Sequence, residues 1–442
     1  MTDTSVDWSN WAGNQRAAGI EVAVPPTESE LAELVCTAAA AGRRIRPIGS
    51  GHSFTPIGMP EDIQVRLDRL TGIVRADGET GLVTVRGGTL LSDLNRALDA
   101  LGLGMTNLGD IEQQTIAGAL ATSTHGTGAR FGGLATQVRG LELLLADGST
   151  LVCTPEQNAD VLDLARVGLG ALGIVTKVTL QTEPRFALSA REGSGELREV
   201  MAAYDDHADG TDHFEFYWFP HTSKVLTKHN TRRPLGPRAG TELAPLSRVR
   251  SWWDDEFLSN TVFGATVALG RRAPRLVRPL ARVAASALSP REFTDISSRV
   301  FTSPRRVRFV EMEYAVPRAA GMDVLRELVA AVERSDWRIA IPVEVRVAAG
   351  DDVPLSTAYG RDTVYIAIHT PPGAPDQPAY FTTFERIAGD AGGRPHWGKL
   401  HSLDATVLGK RYPRLAEFVA LRDRLDPHHL FSNAHLDRLL DA

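Results

Sequence analysis

The sequence predicts an α+β chain of two domains, and three observations predict it. At 442 residues the chain is longer than one hydrophobic core usually grows, and 43% apolar residues are enough to fill two. Up to about residue 183, helical periodicity alternates with short β-like runs and glycine-rich loops; beyond it the most regular segments are strands of two-residue period. That change of character sets a domain boundary near 183–190.

Composition narrows the function. A net charge of -6 leaves no basic surplus to neutralise phosphates, so a nucleic-acid partner is not expected. Arginines crowd between Arg271 and Arg282 but are interspersed with apolar residues, which favours a solvated helix face over a basic face docked on a membrane or partner. Cys36 and Cys153 each sit in an apolar periodic segment and read as core; two thiols build neither a disulfide framework nor a metal cluster. Residues 1–10 lack a charged n-region followed by an apolar stretch, and no run of about 18 apolar residues occurs, so a soluble, reducing, cytoplasmic setting is expected.

In chain order, a segment carrying Trp8 and Trp11 comes first. Thr27 with Glu30 three residues on then forms a capping box for a helix whose face is Leu31, Leu34, Val35 and Ala38, ended by Gly42. A β-like run over 44–48 delivers the chain into Gly49-Ser50-Gly51-His52-Ser53-Phe54. Glycines there permit positive φ and close backbone approach, and the amides of such a turn point inward at a pyrophosphate, with His52 in its middle. Strands follow at 64–67 and 82–86. The second enters Gly87-Gly88-Thr89, where Thr89 caps a helix with the face Leu90, Leu91, Leu94, Ala97, Leu98 and Leu101.

From 103 to 133 the composition shifts to Gly, Ala, Thr and Ser. Small side chains almost throughout 116–128 suit a backbone that passes close to a flat ligand, and so long a plain loop inside a compact domain would be unusual without one. Next, 138–145 and 150–153 read as a hairpin through Asp147-Gly148, followed by a helix over 160–166. Gly168, Gly170 and Gly173 have the dinucleotide-motif spacing, but a helix precedes them and a β-rich run follows. That is the reverse of a Rossmann fingerprint, though the glycines remain candidates to line a nucleotide.

In the second domain, 214–219 is an aromatic strand, 230–251 a Pro/Gly/Arg-rich loop, and a mixed helical stretch runs on to about Arg299. Three strands are the most informative. Val310, Met312, Tyr314 and Val316 share one face and Glu311 and Glu313 the other; three valines in 343–347 leave Glu344 and Arg346 opposite; Tyr365, Ala367 and His369 oppose Ile366 and Ile368. If these strands are neighbours in one sheet, Glu313, Glu344, Arg346 and His369 line a common surface, either as solvent-facing ion pairs or as a site. A loop over 392–399 with one lysine precedes a helical region around 412–425. A zinc site from His396, His401, His428 and His429 lacks acidic or thiolate support, and no metal is expected.

Five motifs now stand in one order: Gly-Ser-Gly-His-Ser-Phe at 49–54, Ala-Thr-Ser-Thr-His-Gly-Thr-Gly at 121–128, Gly-Leu-Gly-Ala-Leu-Gly-Ile-Val-Thr at 168–176, Val-Glu-Val-Arg at 343–346 and His-Trp-Gly-Lys at 396–399. Over essentially its full length the chain resembles the sugar-1,4-lactone oxidases and dehydrogenases (gulono- and arabinono-1,4-lactone) of the vanillyl-alcohol-oxidase flavoprotein superfamily, with alditol oxidases as cousins. The resemblance implies a PCMH-type FAD-binding domain over 1–185, an antiparallel-sheet cap (substrate) domain over 186–410, and a segment, 411–442, that packs back on the FAD domain.

It also implies roles. Ile48, Gly49, Ser50, Gly51 and Ser53 would wrap the FAD pyrophosphate, and His52 matches the histidine bonded to the flavin 8α carbon in many members, so the FAD is expected to be covalent. Gly118, Thr122, Ser123, Thr124, His125 and Gly126 would run along the isoalloxazine, and Gly173 and Ile174 would meet the adenosine end. Gly109 and His396 belong to the same cofactor set. Glu344, Arg346 and Lys399 match a polar triad over the flavin face, with His369 on a cap strand and Glu313 as a further substrate residue.

The expected reaction is oxidation of an aldono-1,4-lactone, L-gulono- or D-arabinono-, at a CH–OH group by hydride transfer to flavin N5, giving an ascorbate-type 2-keto lactone. Arg346 and Lys399 would stabilise the alkoxide, and a desolvated, partly neutral Lys399 would take the proton, while Glu344 orients Arg346 and bonds a sugar hydroxyl. O2 or a redox acceptor such as a cytochrome or quinone would reoxidise the flavin. Alditol or xylitol oxidation, and a flavin-binding scaffold without turnover, are the rival readings.

Overall fold

The computed structural model describes residues 5–235, 243–247, 264, 269–270, 272–286, 290–303 and 305–441. Residues 236–242 and 248–251 of the expected loop, most of the helical stretch after it and Arg271 lie outside the described residues. Asn230 to Pro234, read from sequence as loop, extends a strand instead.

The N-terminal half holds two sheets. Strands β1 (Ser5–Ser9), β2 (Arg16–Ala23), β3 (Ile45–Pro47) and β4 (Ile63–Val65) form the first, in the order β1-β2-β4-β3. Strands β5 (Ile73–Ala76) and β6 (Leu82–Arg86) begin the second; β7 (Leu103–Gly104) lies apart, and β8 (Val138–Leu144), β9 (Thr150–Cys153) and β10 (Ile174–Gln181) complete the order β5-β6-β10-β8-β9. β8 and β9 pair through the expected turn, with Gly148 at φ 80.

Helices α1 (Glu28–Ala40), α2 (Leu91–Ala100), α3 (Ile116–Ala121) and α4 (Ala159–Ala165) cover these sheets. Thr27 caps α1 by accepting the Glu30 amide, and Leu31, Val35 and Ala38 are buried. Cys36 corrects the sequence reading. It lies off that face, exposed, and its thiol donates to the Asp147 carbonyl. Thr89 does not cap α2: its hydroxyl donates to the Arg86 carbonyl and accepts the Gly72 amide, closing the preceding turn, and Leu90 takes the cap position. Leu101, one residue past the helix, is 52% exposed.

β11 (Glu183–Pro184) pairs with β7, and the chain then enters one large antiparallel sheet. Its strands are β12 (Phe186–Glu196), β13 (His213–Trp218), β14 (Lys224–Pro234), β15 (Arg291–Ile296), β16 (Val310–Pro317), β17 (Val343–Ala348), β18 (Thr363–Thr370) and β19 (Arg394–Pro395), ordered β15-β12-β14-β13-β17-β18-β16-β19. The two-residue period divides it. Phe214, Phe216, Trp218, Val343, Val345 and Ile366 face a core with the helices on that side. Those helices are α5 (Leu197–Ala202), α6 (Tyr204–Gly210), α7 (Val277–Ser286), α9 (Arg318–Arg334) and α10 (Gln377–Asp390), of which α5, α6, α9 and α10 contribute core residues; between α7 and α9, α8 (Ser297–Phe301) instead sets Phe301 against the core of the N-terminal half. The opposite face turns toward the N-terminal half.

Helices α11 (Ala405–Arg411), α12 (Leu415–Leu425) and α13 (Ala434–Leu440) end the chain. Leu408, Tyr412, Phe418 and Leu436 join the core of Val83, Leu91 and Leu94, together with cap residues Val353, Leu355 and Trp397. Leu430 and Phe431 fill the core under α1. Among the described residues no helix is long and apolar enough to cross a membrane.

Candidate active site

Two adjoining features make the site: a narrow cleft floored by backbone, and a polar sheet face above it. β3 feeds the loop at 48–54. The Ile48 amide is held by the Val65 carbonyl at 2.9 Å, and Gly51 sits at φ 66 with its carbonyl accepting the Trp11 amide. A Cβ on Gly49 would strike Thr115 Oγ1, whose own task is to cap α3 by accepting the Gly118 amide at 3.2 Å. Gly49, Gly118 and Gly173 line the cleft with Ile48 and Ile174, joined by Gly87, Gly88 and Gly170. A surface of glycine backbone leaves room for a large flat ligand with a phosphate linkage and offers it amides, so these residues fit a flavin dinucleotide.

Arg46, which the sequence reading passed over, braces this cleft from behind. It gives Nη2 to the Leu169 carbonyl and Nη1 to those of Gly170 and Phe431 at 2.6–2.9 Å, and burial lowers its pKa to about 10. The dinucleotide-like glycine spacing therefore belongs to a left-handed turn, Leu169 at φ 53 and Gly170 at φ 66, tied to the C-terminal segment.

The other expected cofactor residues lie around the cleft, not along it. His52 stacks on Trp11, ring centroids 5.3 Å apart, and its pKa is held down to about 4 by burial and then by Lys399. Ser50 Oγ donates to the Gln113 carbonyl, the Ser53 carbonyl accepts from Asn10, and Thr122 Oγ1 reaches the Gly118 carbonyl. Thr124 accepts from Gln114, and Ser123 is left-handed at φ 64. Gly126 is a packing position, since a Cβ there would meet the Leu108 carbonyl and Asn107; Gly109 faces Thr124 and His125 in the same way. His125 stacks on Tyr365 and pairs its Nε2 with Glu313 at 3.3 Å, and with His396 they form a buried group of their own.

On the polar face the strand register decides who meets whom. Row by row, Tyr365, Arg346, Glu215, Lys228, Glu192 and Arg291 stand opposite one another across β18, β17, β13, β14, β12 and β15. Charges alternate along five of those positions. Arg346 Nη2 lies 2.5 Å from Glu344 Oε1 and its Nε 2.9 Å from Glu215 Oε2; Lys228 meets Glu215 at 3.0 Å and Arg291 meets Glu192 at 2.7 Å. Tyr217 donates to Glu344 at 2.7 Å. From the N-terminal half, Asp110 Oδ2 receives Arg305 Nη2 at 2.6 Å and approaches Arg346 at 3.8 Å.

Burial raises the Glu344 pKa, and the neighbouring Asp110 and Glu215 carboxylates add to this against Arg346. Burial alone would raise Glu215 too, but Lys228 and Arg346 pull it down to about 2. Arg346 is held firmly protonated: its three carboxylates outweigh desolvation.

Lys399 belongs to a second group. It is ion-paired with Glu311, whose other oxygen lies 3.6 Å from His369 Nε2, while His369 Nδ1 donates to the Pro342 carbonyl at 3.0 Å. Desolvation would lower the Lys399 pKa, yet Glu311 and Glu313 drive it up, so this ammonium is a fixed cation and the expectation of a partly neutral Lys399 is corrected. Thus β17 and β18 bring Glu344, Arg346 and His369 to one face with Glu313, and Lys399 reaches it from the loop after β19. Asp110, Glu215, Tyr217 and Arg305 were not singled out from sequence, although Glu215 and Tyr217 alternate with Phe214, Phe216 and Trp218 by the same period that marked Glu344; Glu311 was placed on the polar strand face with Glu313 but not among the site residues.

The two halves are joined at this point. Thr127 Oγ1 donates to the Phe214 carbonyl, the Gly128 amide to the Val347 carbonyl at 2.7 Å, and the Ala349 amide returns to Phe131 at 3.1 Å, one residue beyond Arg346 and onward.

Residues 178–439 match the family model for D-arabinono-1,4-lactone oxidase, and residues 21–154 that for an FAD binding domain. The chain is 41% identical over 433 residues to an L-gulono-1,4-lactone dehydrogenase of Mycobacterium tuberculosis, covering 98% of this chain and 99% of that one. It is 33% identical to the L-gulonolactone oxidase of Bos taurus, covering 98% of each. The structure of cholesterol oxidase from B. sterolicum superposes with a TM-score of 0.82 over 99% of this chain and 97% of that one; at 18% identity the likeness is one of fold.

Proposed function

The chain belongs to the D-arabinono-1,4-lactone oxidase family, and on that footing we propose that its polar cap face binds an aldono-1,4-lactone, L-gulono- or D-arabinono-, and assists its FAD-dependent oxidation at a CH–OH group. The observation that carries the reading is a glycine-backbone cleft lying under a face of opposed, buried charges. Gly49, Gly118, Gly173 and Ile174 would hold the FAD. When bound, it supplies the acceptor for the hydride that leaves the substrate carbon.

The chain's own residues manage charge and proton. Arg346 and Lys399, both held cationic, stabilise the negative charge that develops on the hydroxyl oxygen. His369 commits Nδ1–H to the Pro342 carbonyl, which leaves the Nε2 lone pair to receive the hydroxyl proton. Glu344, fixed by Arg346 and Tyr217, bonds a neighbouring sugar hydroxyl. Loss of one hydride and one proton makes the secondary alcohol a ketone, and the 2-keto lactone enolises to an ascorbate-type product.

His52 is proposed as the covalent tether to the flavin: its depressed pKa keeps a neutral, nucleophilic ring nitrogen at physiological pH. Reoxidation by O2 or by a cytochrome or quinone, and a cytoplasmic setting in keeping with the free thiols Cys36 and Cys153, complete the proposal. Anaerobic mixing of the enzyme with both lactones and with xylitol tests it. Rapid bleaching of the flavin by a lactone and none by xylitol is expected; a flavin that no lactone bleaches defeats the reading. Adding O2, cytochrome or quinone to the bleached enzyme then identifies the acceptor.

A further inference from the structure

On the helix-covered side of the cap sheet, away from the face that carries Arg346, the described residues line a second cavity, half-open to solvent, of about 810 Å³. That volume lies in the range of small-molecule sites. Its floor is Trp218, on the apolar side of β13, and its walls come from α5, α7 and α9. Arg198, Arg278, Arg282 and Arg326 line it against one acid, Glu333.

The arginines are poorly matched by the protein itself. Arg326 pairs with Asp323. Arg278 gives Nη2 to the Ser335 carbonyl at 3.1 Å, while its Nε is buried without a hydrogen-bond partner. Among the described residues Arg198 and Arg282 have no ion-pair or hydrogen-bond partner. Arg278 and Arg282, four apart on α7, share one helix face. Beside them His221, in the turn after β13 at φ 68, accepts the Ile339 amide at Nε2, so a neutral ring presents Nδ1–H as a further donor. Burial and then the guanidiniums of Arg278, Arg338 and Arg282 hold its pKa down to about 4.

Cations gathered round a cavity repel unless an anion lies among them, and the guanidinium fork matches phosphate oxygens in geometry as well as charge. We propose that this cavity binds a phosphate-bearing small molecule, held by Arg278 and Arg282 with Arg198 and Arg326 closing round it. The site is separate from those for FAD and lactone, and it gives a role to the arginine-rich run that lactone oxidation leaves unused.

The test uses the FAD-loaded enzyme, so that the pyrophosphate-holding cleft is already filled. Inorganic triphosphate is titrated by calorimetry, and vesicles of phosphatidic acid, with phosphatidylcholine as control, are offered in sedimentation. Saturable binding of either phosphate probe with Kd below about 1 mM is expected, weakened at least about tenfold by Arg282→Glu and by Arg278→Ala. Arg282 is exposed, so its reversal should leave the thermal midpoint and lactone oxidation unchanged. Binding of free triphosphate assigns a soluble ligand; binding only to phosphatidic acid assigns a lipid headgroup. Failure of both probes to bind, or undiminished binding by a folded Arg282→Glu enzyme, overturns the proposal.

Discussion

Arg346 Nε lies 2.9 Å from Glu215 Oε2, and the two residues face each other across the register of β17 and β13. The guanidinium is therefore aimed by the sheet before any substrate arrives. Removing one partner of a buried ion pair typically costs about 3–5 kcal/mol. Glu215→Ala should lower the thermal midpoint and cut kcat more than about tenfold with flavin content intact, whereas Glu215→Gln, which fills the space and accepts a hydrogen bond but lacks the charge, should recover only part of the midpoint and leave kcat low. A Glu215→Ala enzyme with unchanged kcat would mean that Arg346 is aimed by something else.

Lys399 is predicted to act by its charge. Lys399→Ala should keep its flavin and lose more than about a hundredfold in the rate of flavin reduction by lactone, while Lys399→Arg, which preserves a cation beside Glu311, should retain the larger part. Equal loss in both would return the proton-acceptor role to the lysine.

Buried histidines should make the protein acid-sensitive. Burial is the first cause that holds His213, His221 and His229 down to about 4 and His396, His401 and His435 to about 3. The ordinary value is about 6.5, so below it the unfolded chain takes up protons that the folded chain refuses. Stability should be complete above about pH 6.5 and fall as the pH drops toward about 4. His401, whose two ring nitrogens have no partner, offers the control: His401→Leu should flatten the decline of thermal midpoint with pH.

Gly49→Ala places a methyl group against Thr115 Oγ1 and should lower the flavin-to-protein ratio of the purified enzyme severalfold. Gly51→Ala meets nothing closer than 3.7 Å but is forced to φ 66, and should cost stability of about 1–2 kcal/mol with less effect on flavin content.

His52 separates tether from neighbour. Acid-denatured wild-type protein should keep its yellow colour in the precipitate, and His52→Ala should release all of it to the supernatant. Release from the wild type sinks the tether.

Much of this was legible in the sequence for a physical reason. Val343 to Val347 and Tyr365 to His369 alternate with a strict two-residue period, so their polar residues could be placed on one face before the sheet was known. What sequence could not supply was register. Whether Arg346 meets Glu215 or a strand-mate further on depends on hairpin geometry over more than a hundred residues, and Lys399 meets Glu311 only because the loop after β19 folds back over β16. Cys36 and Thr89 misled for a local reason: each lies at the edge of an otherwise regular helical pattern, where one residue of phase decides burial or capping.

The backbone bonds that tie Thr127 and Gly128 to Phe214 and Val347 have a thermodynamic corollary. A chain that reads as two domains also shares core residues between them, since Val353, Leu355 and Trp397 of the cap pack with Leu91, Leu94 and the terminal helices, and Ala12 and Phe54 pack into the core of the cap sheet. Neither half has a complete interior without the other. Heated in a calorimeter, the protein should therefore melt once, as a single cooperative unit, and turnover should proceed without the halves parting.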